Sequence, residues 1–404
     1  MEKAEEEKIV IVGGGICGLA TALALHRKEI GSIVLERSEE LRATGAAIIV
    51  QPNGWRALDQ LGIASQLRQT ALTIQSGQYF TVKDGKHKDL PLGDAGEVRC
   101  LRRTDLIKTL AANLPLNTIH LKTKVVSIKL DPFTSYPILQ LHDGSVLVAK
   151  VVVGCDGVNS TIANILGLNS TSIFTTCVAR GFTNYEAGHK FGSAFLVFSK
   201  DDVQLGLMPV TDKLVYWFVT RKLTSQDSMV SKYHKLIKKT TVEAIRGFPN
   251  HIMEMVKNSD EDSLHLTELR YRAPWDLLRT NFRKGTVTVA GDAMHATGPF
   301  LAQGGSASLE DAVVLARCLS QNMHIDIDPR GRKRRKMLML KAAAALDQYA
   351  RERKMRVFWL SLETFVIGTM LDSSSTLLKS LCIIALIILF RDKIAHTRYD
   401  CGHL

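Results

Sequence analysis

The chain has 404 residues, 46% of them apolar, and a formal net charge of +12. That length allows two domains and a substantial core, and the apolar content excludes wholesale disorder. Seven cysteines are scattered without a Cys-x-x-Cys pair, which argues against a zinc site and for a reducing compartment. The apolar pattern begins near residue 8, so no cleaved signal or transit peptide is expected and the cytoplasm is the expected location.

Lys8–Val12 is an unbroken apolar run, as in a parallel strand buried on both faces. It leads into Gly13, Gly14, Gly15, Ile16, Cys17 and Gly18, then a helical Leu19–His26 and a second strand, Ser32–Leu35, ending at Glu36. This is a complete βαβ nucleotide unit. Gly13 suits a tight turn, Gly15 a close backbone approach by pyrophosphate, and Gly18 helix–strand contact. The helix N-terminus offers free N–H groups and partial positive charge to phosphates. Glu36 is placed to accept hydrogen bonds from both hydroxyls of an adenosine ribose, with Arg37 beside it. A structural turn with a surface glutamate is the plain alternative, and the full strand–helix–strand context weighs against it.

Residues 74–98 change to an alternating pattern around an Asp84-Gly85 hairpin, and a second hairpin is predicted at Asp143-Gly144. The run Val151–Gly154 stops at a turn containing Cys155, Asp156 and Gly157. Between residues 176 and 269, strands are predicted at Ala194–Phe198, Val203–Met208 and Leu214–Val219, with helices around 230–246. Thr286–Ala290 repeats the strand-then-turn pattern and delivers Gly291 and Asp292, whose carboxylate is placed to hold a ribityl or ribose hydroxyl. Then Pro299–Ser306 forms a Pro/Gly loop before a helix. Its amides can face the polar edge of an isoalloxazine.

These three glycine motifs, in this order and approximate spacing, resemble the group A flavoprotein monooxygenases, the para-hydroxybenzoate hydroxylase fold. Several stretches, among them Asn53–Gly62 and Arg270–Pro274, are similar to plant relatives of salicylate and 3-hydroxybenzoate hydroxylases. The resemblance implies an α/β architecture: a Rossmann-like FAD-binding domain (1–74, 99–175 and 270–330), an inserted antiparallel-sheet substrate domain (75–98 and 176–269) and a C-terminal helical region (331–404). Arg103 matches the family's flavin-contacting arginine, and the loop residues Pro299, Gly304, Gly305 and Ser306 join the cofactor set. Gly45–Ile48 and Gln51–Gly54 resemble the strand and turn beneath the flavin. Ala163 stands where the family's Asp-Gly motif usually ends in Arg, Ala47 and Ala302 where glycine is common, and Ser306 where Asn is frequent.

By the same resemblance, NADPH or NADH reduces FAD transiently, along a groove, since no second glycine fingerprint exists. O2 then adds, and a flavin hydroperoxide hydroxylates a small aromatic or apolar compound. Met208, Pro209, Tyr216, Trp217, Pro299 and Phe300 are candidates for the substrate wall; for Met208 and Trp217, ordinary sheet core is an equal alternative. His295 reads as a structural hydrogen-bonding residue ahead of an acid–base group, and no catalytic base is evident. Two other readings stay open: an FAD-dependent reductase of a lipid-like substrate, and a non-catalytic binding protein on the same scaffold.

The run Pro329–Lys336 is strongly basic but lacks interleaved aromatics, so a solvated interhelix loop is expected and not a nucleic-acid contact. The ten apolar residues Leu381–Phe390 are too few to span a bilayer, which needs about 20. Packing against the body is expected, with peripheral membrane contact through 379–391 as the second option. A monomer is expected.

Overall fold

The computed structural model describes residues 8–41, 47–90, 96–323 and 332–404. Its first sheet is built on the strand Lys8–Val12, flanked in parallel by Ser32–Leu35 on one side and Val146–Gly154 on the other. Val287–Val289 extends it in parallel beyond Val146–Gly154, and Ile119–His120 beyond Ser32–Leu35. The register is what matters for function. Val12 lies opposite both Leu35 and Gly154, and Gly154 lies opposite Val289. All four strands therefore end at one level, and the turns that follow them leave the same edge of the sheet.

The second sheet has the order 265–271, 172–184, 214–222, 203–211, 194–200, 76–81, 87–90. Every pairing is antiparallel except that of Ala194–Lys200 with Ser76–Thr81. Side chains alternate between its faces. One face, with Cys177, Ala179, Leu205, Leu207, Val215, Trp217 and Val219, packs on Ile237, Ile252, Met255 and Val256 of the helices His234–Ala244 and Asn250–Lys257. The other carries Met208, Val210 and Tyr216 and packs on Ile74, Val98 and Cys100, with Ala47 and Ile49 alongside. Ala47 and Ile49 belong to the ribbon formed by Ala47–Val50 and Arg99–Arg102.

Three helices close the structure. Gly304–Met323 packs on the fingerprint helix Ile16–Arg27, and the 41-residue helix Arg332–Asp372 packs on Gly304–Met323. Arg332–Lys336 open this long helix and do not form the expected loop, while 329–331 lie outside the described residues. The last helix, Thr376–Leu389, differs from expectation. Cys382 is its one buried residue, and Leu377, Leu381, Ile387 and Ile388 are each more than half exposed. No described helix is long and apolar enough to cross a membrane.

A charged cluster with no access to water ties these helices together. Arg353 is 0% exposed; its Nε donates to Asp311 Oδ1 at 2.6 Å, and its Nη2 lies 2.7 Å from Glu310 Oε2. Arg356 pairs with Glu310 at 2.9 Å, and Asn53 Nδ2 donates to Glu310 Oε1 at 2.6 Å. Asp311 Oδ2 also accepts from the Gly291 amide at 2.7 Å and lies 2.6 Å from His295 Nε2. Burial alone would raise the Asp311 carboxyl, but His295 and Arg353 outweigh it and hold it at about 2. The guanidinium carbons of Arg353 and Arg356 lie over the Tyr399 ring, 5.0 and 4.9 Å from its centroid.

Removing one partner of such a cluster leaves an uncompensated buried charge, at a cost of about 3–5 kcal/mol. Arg353→Met is therefore expected to lower the urea midpoint by that equivalent. The triple replacement Arg353→Met, Glu310→Gln, Asp311→Asn should recover part of it.

Candidate cofactor and substrate site

The glycines of the first turn do different work. Gly13 has φ +111°, and a Cβ there would come within 2.5 Å of Cys155 O; at Gly18 it would come within 1.9 Å of Gly13 O. Both are required by packing. At Gly15 a Cβ would meet nothing within 4 Å, and no side chain caps the helix that starts there. Gly15 thus faces open space at the amide end of Ile16–Arg27, where a pyrophosphate can approach. Ile16 and the Cys17 thiol are buried, the latter against Cys155 and Gly291, so these two positions offer the site only backbone.

Glu36 stands at the rim of this space. Its Oε2 accepts from the Gly14 amide at 2.7 Å and its Oε1 from the Ser38 amide at 2.9 Å. These bonds fix the carboxylate beside the fingerprint turn. Arg37 is exposed next to it.

The second turn differs from expectation. Asp156 turns its carboxylate back into its own loop, accepting from Ser160 Oγ at 2.5 Å and the Thr161 amide at 2.7 Å. Its carboxylate organises the start of the helix Thr161–Ile165. Gly157, at φ +80°, does face open space. Ala163 is a core residue of that helix, 2% exposed, so it offers the turn no side chain.

At the third turn, Gly291 (φ +61°) sits against Cys17, with 2.9 Å between its Cβ position and that of Cys17. Asp292 opens onto the crevice but is surrounded by protein; the poorly solvating setting raises its carboxyl, while His295 and Arg103 draw it down. A Cβ on Gly304 would lie 4.0 Å from Asp292 Oδ1, which puts the carboxylate at the N-terminus of Gly304–Met323. Gly305 sits against the Ile48 side chain, whose Cδ1 a Cβ would meet at 2.2 Å. Ser306 is fully buried against Gly54, so its hydroxyl does not reach the crevice. Ala302 takes the left-handed conformation, φ +53°, that a glycine would adopt without strain. Gly45 and Ala46 lie outside the described residues.

On the opposite wall the strand faces decide which residues belong. Met208 and Tyr216 are cross-strand neighbours on the inner face, toward the ribbon 47–50. Trp217 is not there: it lies on the helix-backed face, donating Nε1–H to Thr183 Oγ1 at 3.2 Å. Pro209, opposite Val215, shares that outer face. Phe300 reaches across from the loop and packs against an apolar cluster of Phe174, Val178, Leu269, Phe218 and Tyr271. Pro299, exposed, precedes it. Phe174 and Phe300 meet edge-on at 5.3 Å, and Gly368 of the long helix makes room for both. The strand Ser172–Asn184, which supplies much of this chamber, carried a readable alternation but no motif.

Over residues 6–326 the chain matches the FAD binding domain family. It belongs to this family of flavin-dependent monooxygenases. The chain is 44% identical to Monooxygenase 1 of Arabidopsis thaliana over 401 residues, covering 99% of this chain and 100% of that protein. It is 27% identical over 325 residues to an FAD-dependent urate hydroxylase of Mycolicibacterium vanbaalenii, covering 76% of this chain and 78% of the relative. The Klebsiella pneumoniae HpxO structure with FAD and uric acid shares the fold, with TM-score 0.79, 20% identity and coverage of 98% and 97%. The protein is therefore an FAD-dependent oxidoreductase, and the residues at this sheet edge suit that cofactor. Space at Gly15 and Gly157, the Glu36 rim and the Asp292 carboxylate all lie on one sheet edge.

The glycines give a direct test. Gly15→Ala is expected to unfold at the wild-type urea concentration while weakening FAD binding by about tenfold or more, through lost phosphate contacts. Gly18→Ala should instead destabilise the fold itself. Urea denaturation and quenching of FAD fluorescence separate the two.

Proposed function

We propose that this chain uses NAD(P)H and O2 to hydroxylate a small aromatic or apolar compound. The observation that carries this reading is Phe300. It belongs to the loop between the Asp292 turn and the helix Gly304–Met323, and its ring packs in the aromatic chamber of the second sheet. The loop beside the cofactor edge and the aromatic cluster of the second sheet are thus in direct contact. In this reading residues 75–98 and 176–269 form the substrate unit.

FAD supplies the oxygen chemistry when bound; the chain's residues bind, orient and exclude water. The overall balance is one oxygen atom into the substrate and one into water, with two electrons from the nicotinamide. With no second glycine fingerprint, the nicotinamide binds transiently in a groove. The relatives' names support a hydroxylase, since one of them acts on urate.

Purified protein reconstituted with FAD is expected to be yellow, bleached by NAD(P)H, and to place 18O from labelled O2 into product. Full product formation without O2 would favour a reductase, and failure to bleach would favour a binding protein.

We also propose peripheral contact with a membrane surface through the last helix. Its exposed leucines and isoleucines are bounded by Arg391 and Lys393, an apolar face with a cationic edge. Co-sedimentation with anionic vesicles should fall several-fold when Ile384, Ile387 and Ile388 are changed to Gln; an unchanged bound fraction would defeat the idea.

A further inference from the structure

Among the described residues, six that are not glycine hold a positive φ, and five of them, Glu29, Asn117, Lys122, Ser135 and Asp201, are exposed and polar. Ala302 is the sixth, at φ +53° and ψ +30°. It is half-buried and has no polar side chain with which to stabilise a left-handed turn. Contact between its Cβ and the following carbonyl disfavours that conformation, so other residues have to hold it there.

The chain is gripped on both sides of Ala302. In the peptide before it, the Ala302 amide donates to Pro299 O at 2.9 Å, and the Leu301 carbonyl accepts from Gln51 Nε2 at 2.9 Å. After it, the buried side chain of Gln303 is fully engaged. Its Nε2 donates to Gln51 Oε1 at 2.5 Å and to Asn53 Oδ1 at 3.3 Å, and its Oε1 accepts from Asn53 Nδ2 at 2.7 Å. Asn53 is anchored in turn on Glu310. Gln51 thus touches the loop both before and after the strained residue. It is the N-cap residue of the helix Pro52–Gln60, yet its side chain makes no cap hydrogen bond. The amide is spent instead on a loop 250 residues further along the chain.

We infer that Gln51 is a positioning residue for the cofactor: through Leu301 and Gln303 it holds Ala302 left-handed, and so sets the loop 299–306 against the flavin. This rests on the reading of that loop as the one beside the flavin, and it is independent of the substrate. Without the grip, Ala302 relaxes to ordinary backbone, and FAD binding has to restore the strained form. A glycine at 302 adopts the left-handed form without strain, which makes the grip dispensable for binding.

The test compares the wild type with Gln51→Met, Ala302→Gly and the double variant. FAD affinity is read from fluorescence quenching, the flavin's surroundings from the absorbance of the bound form, and the fold from the urea midpoint of the apoprotein. Gln51→Met is expected to bind FAD about tenfold more weakly, with a shifted flavin band. Ala302→Gly should stay within about twofold of the wild type, and the double variant should return to within about threefold, with the wild-type band. Both variants lacking Gln51 should lose urea stability alike, because Gln303 loses a buried partner whichever residue stands at 302. Affinity rescued without stability is a split that a merely structural amide does not produce. Wild-type affinity in Gln51→Met, or a double variant no tighter than Gln51→Met, would overturn the inference. Gly304→Val, which puts bulk into the open space beside Asp292 in the same loop, shows which premise failed. If it weakens FAD binding while Gln51→Met does not, only the grip falls; if neither does, the loop is not beside the flavin and both fall.

Discussion

The buried charge cluster around Arg353 is the constraint on which the site's geometry depends. Glu310 and Asp311 are adjacent in one helix, yet each is committed to a different part of the molecule. Asp311 holds the Gly291 amide and His295, fixing the turn that carries Asp292. Glu310 holds Asn53 and Arg356, fixing the turn that follows the strand Ala47–Val50. Arg353 joins both acids from the long helix, and the C-terminal segment closes over it through Tyr399. Ion pairs without solvent contribute little net stability, but they penalise any arrangement that separates them. Here they give three distant stretches of chain a single relative placement.

Around that anchor the two sheets divide the work. The parallel sheet ends its strands at one level, so its turns make an edge with open space at Gly15 and Gly157 and closed packing at Gly13 and Gly18. The antiparallel sheet gives one face to two helices and the other to an aromatic chamber. Phe300 belongs to the first by sequence and to the second by contact. That shared ring joins the loop beside the cofactor edge to the aromatic cluster of the second sheet.

Much of the cofactor side was legible in the chain. The glycine fingerprint, the hairpins at Asp84-Gly85 and Asp143-Gly144, and the turn at Gly291 are local: a residue's freedom at positive φ decides them, and that is written in its identity. The structural role of His295 was legible for the same reason. Other residues misled because side-chain partners, near or far in the chain, decide their role. Asp156 looked free but is taken by Ser160 and Thr161, while Ser306 is closed in by Gly54, which lies far away in sequence. The closing helix reads as packed from its hydrophobicity, but only Cys382 found a place to bury.

Alternation along 172–184 and 203–222 establishes which residues share a face, since a strand's side chains alternate whatever surrounds it. It does not say which face looks inward. That was decided when the helices 234–244 and 250–257 covered one side, taking Trp217 and Pro209 with them and leaving Met208, Tyr216 and Arg180 on the other. The chain by itself fixed the turns that can grip a dinucleotide, because backbone geometry there follows from single residues. The inner face of the antiparallel sheet came from tertiary structure alone, because its members meet only after segments far apart in sequence pack together.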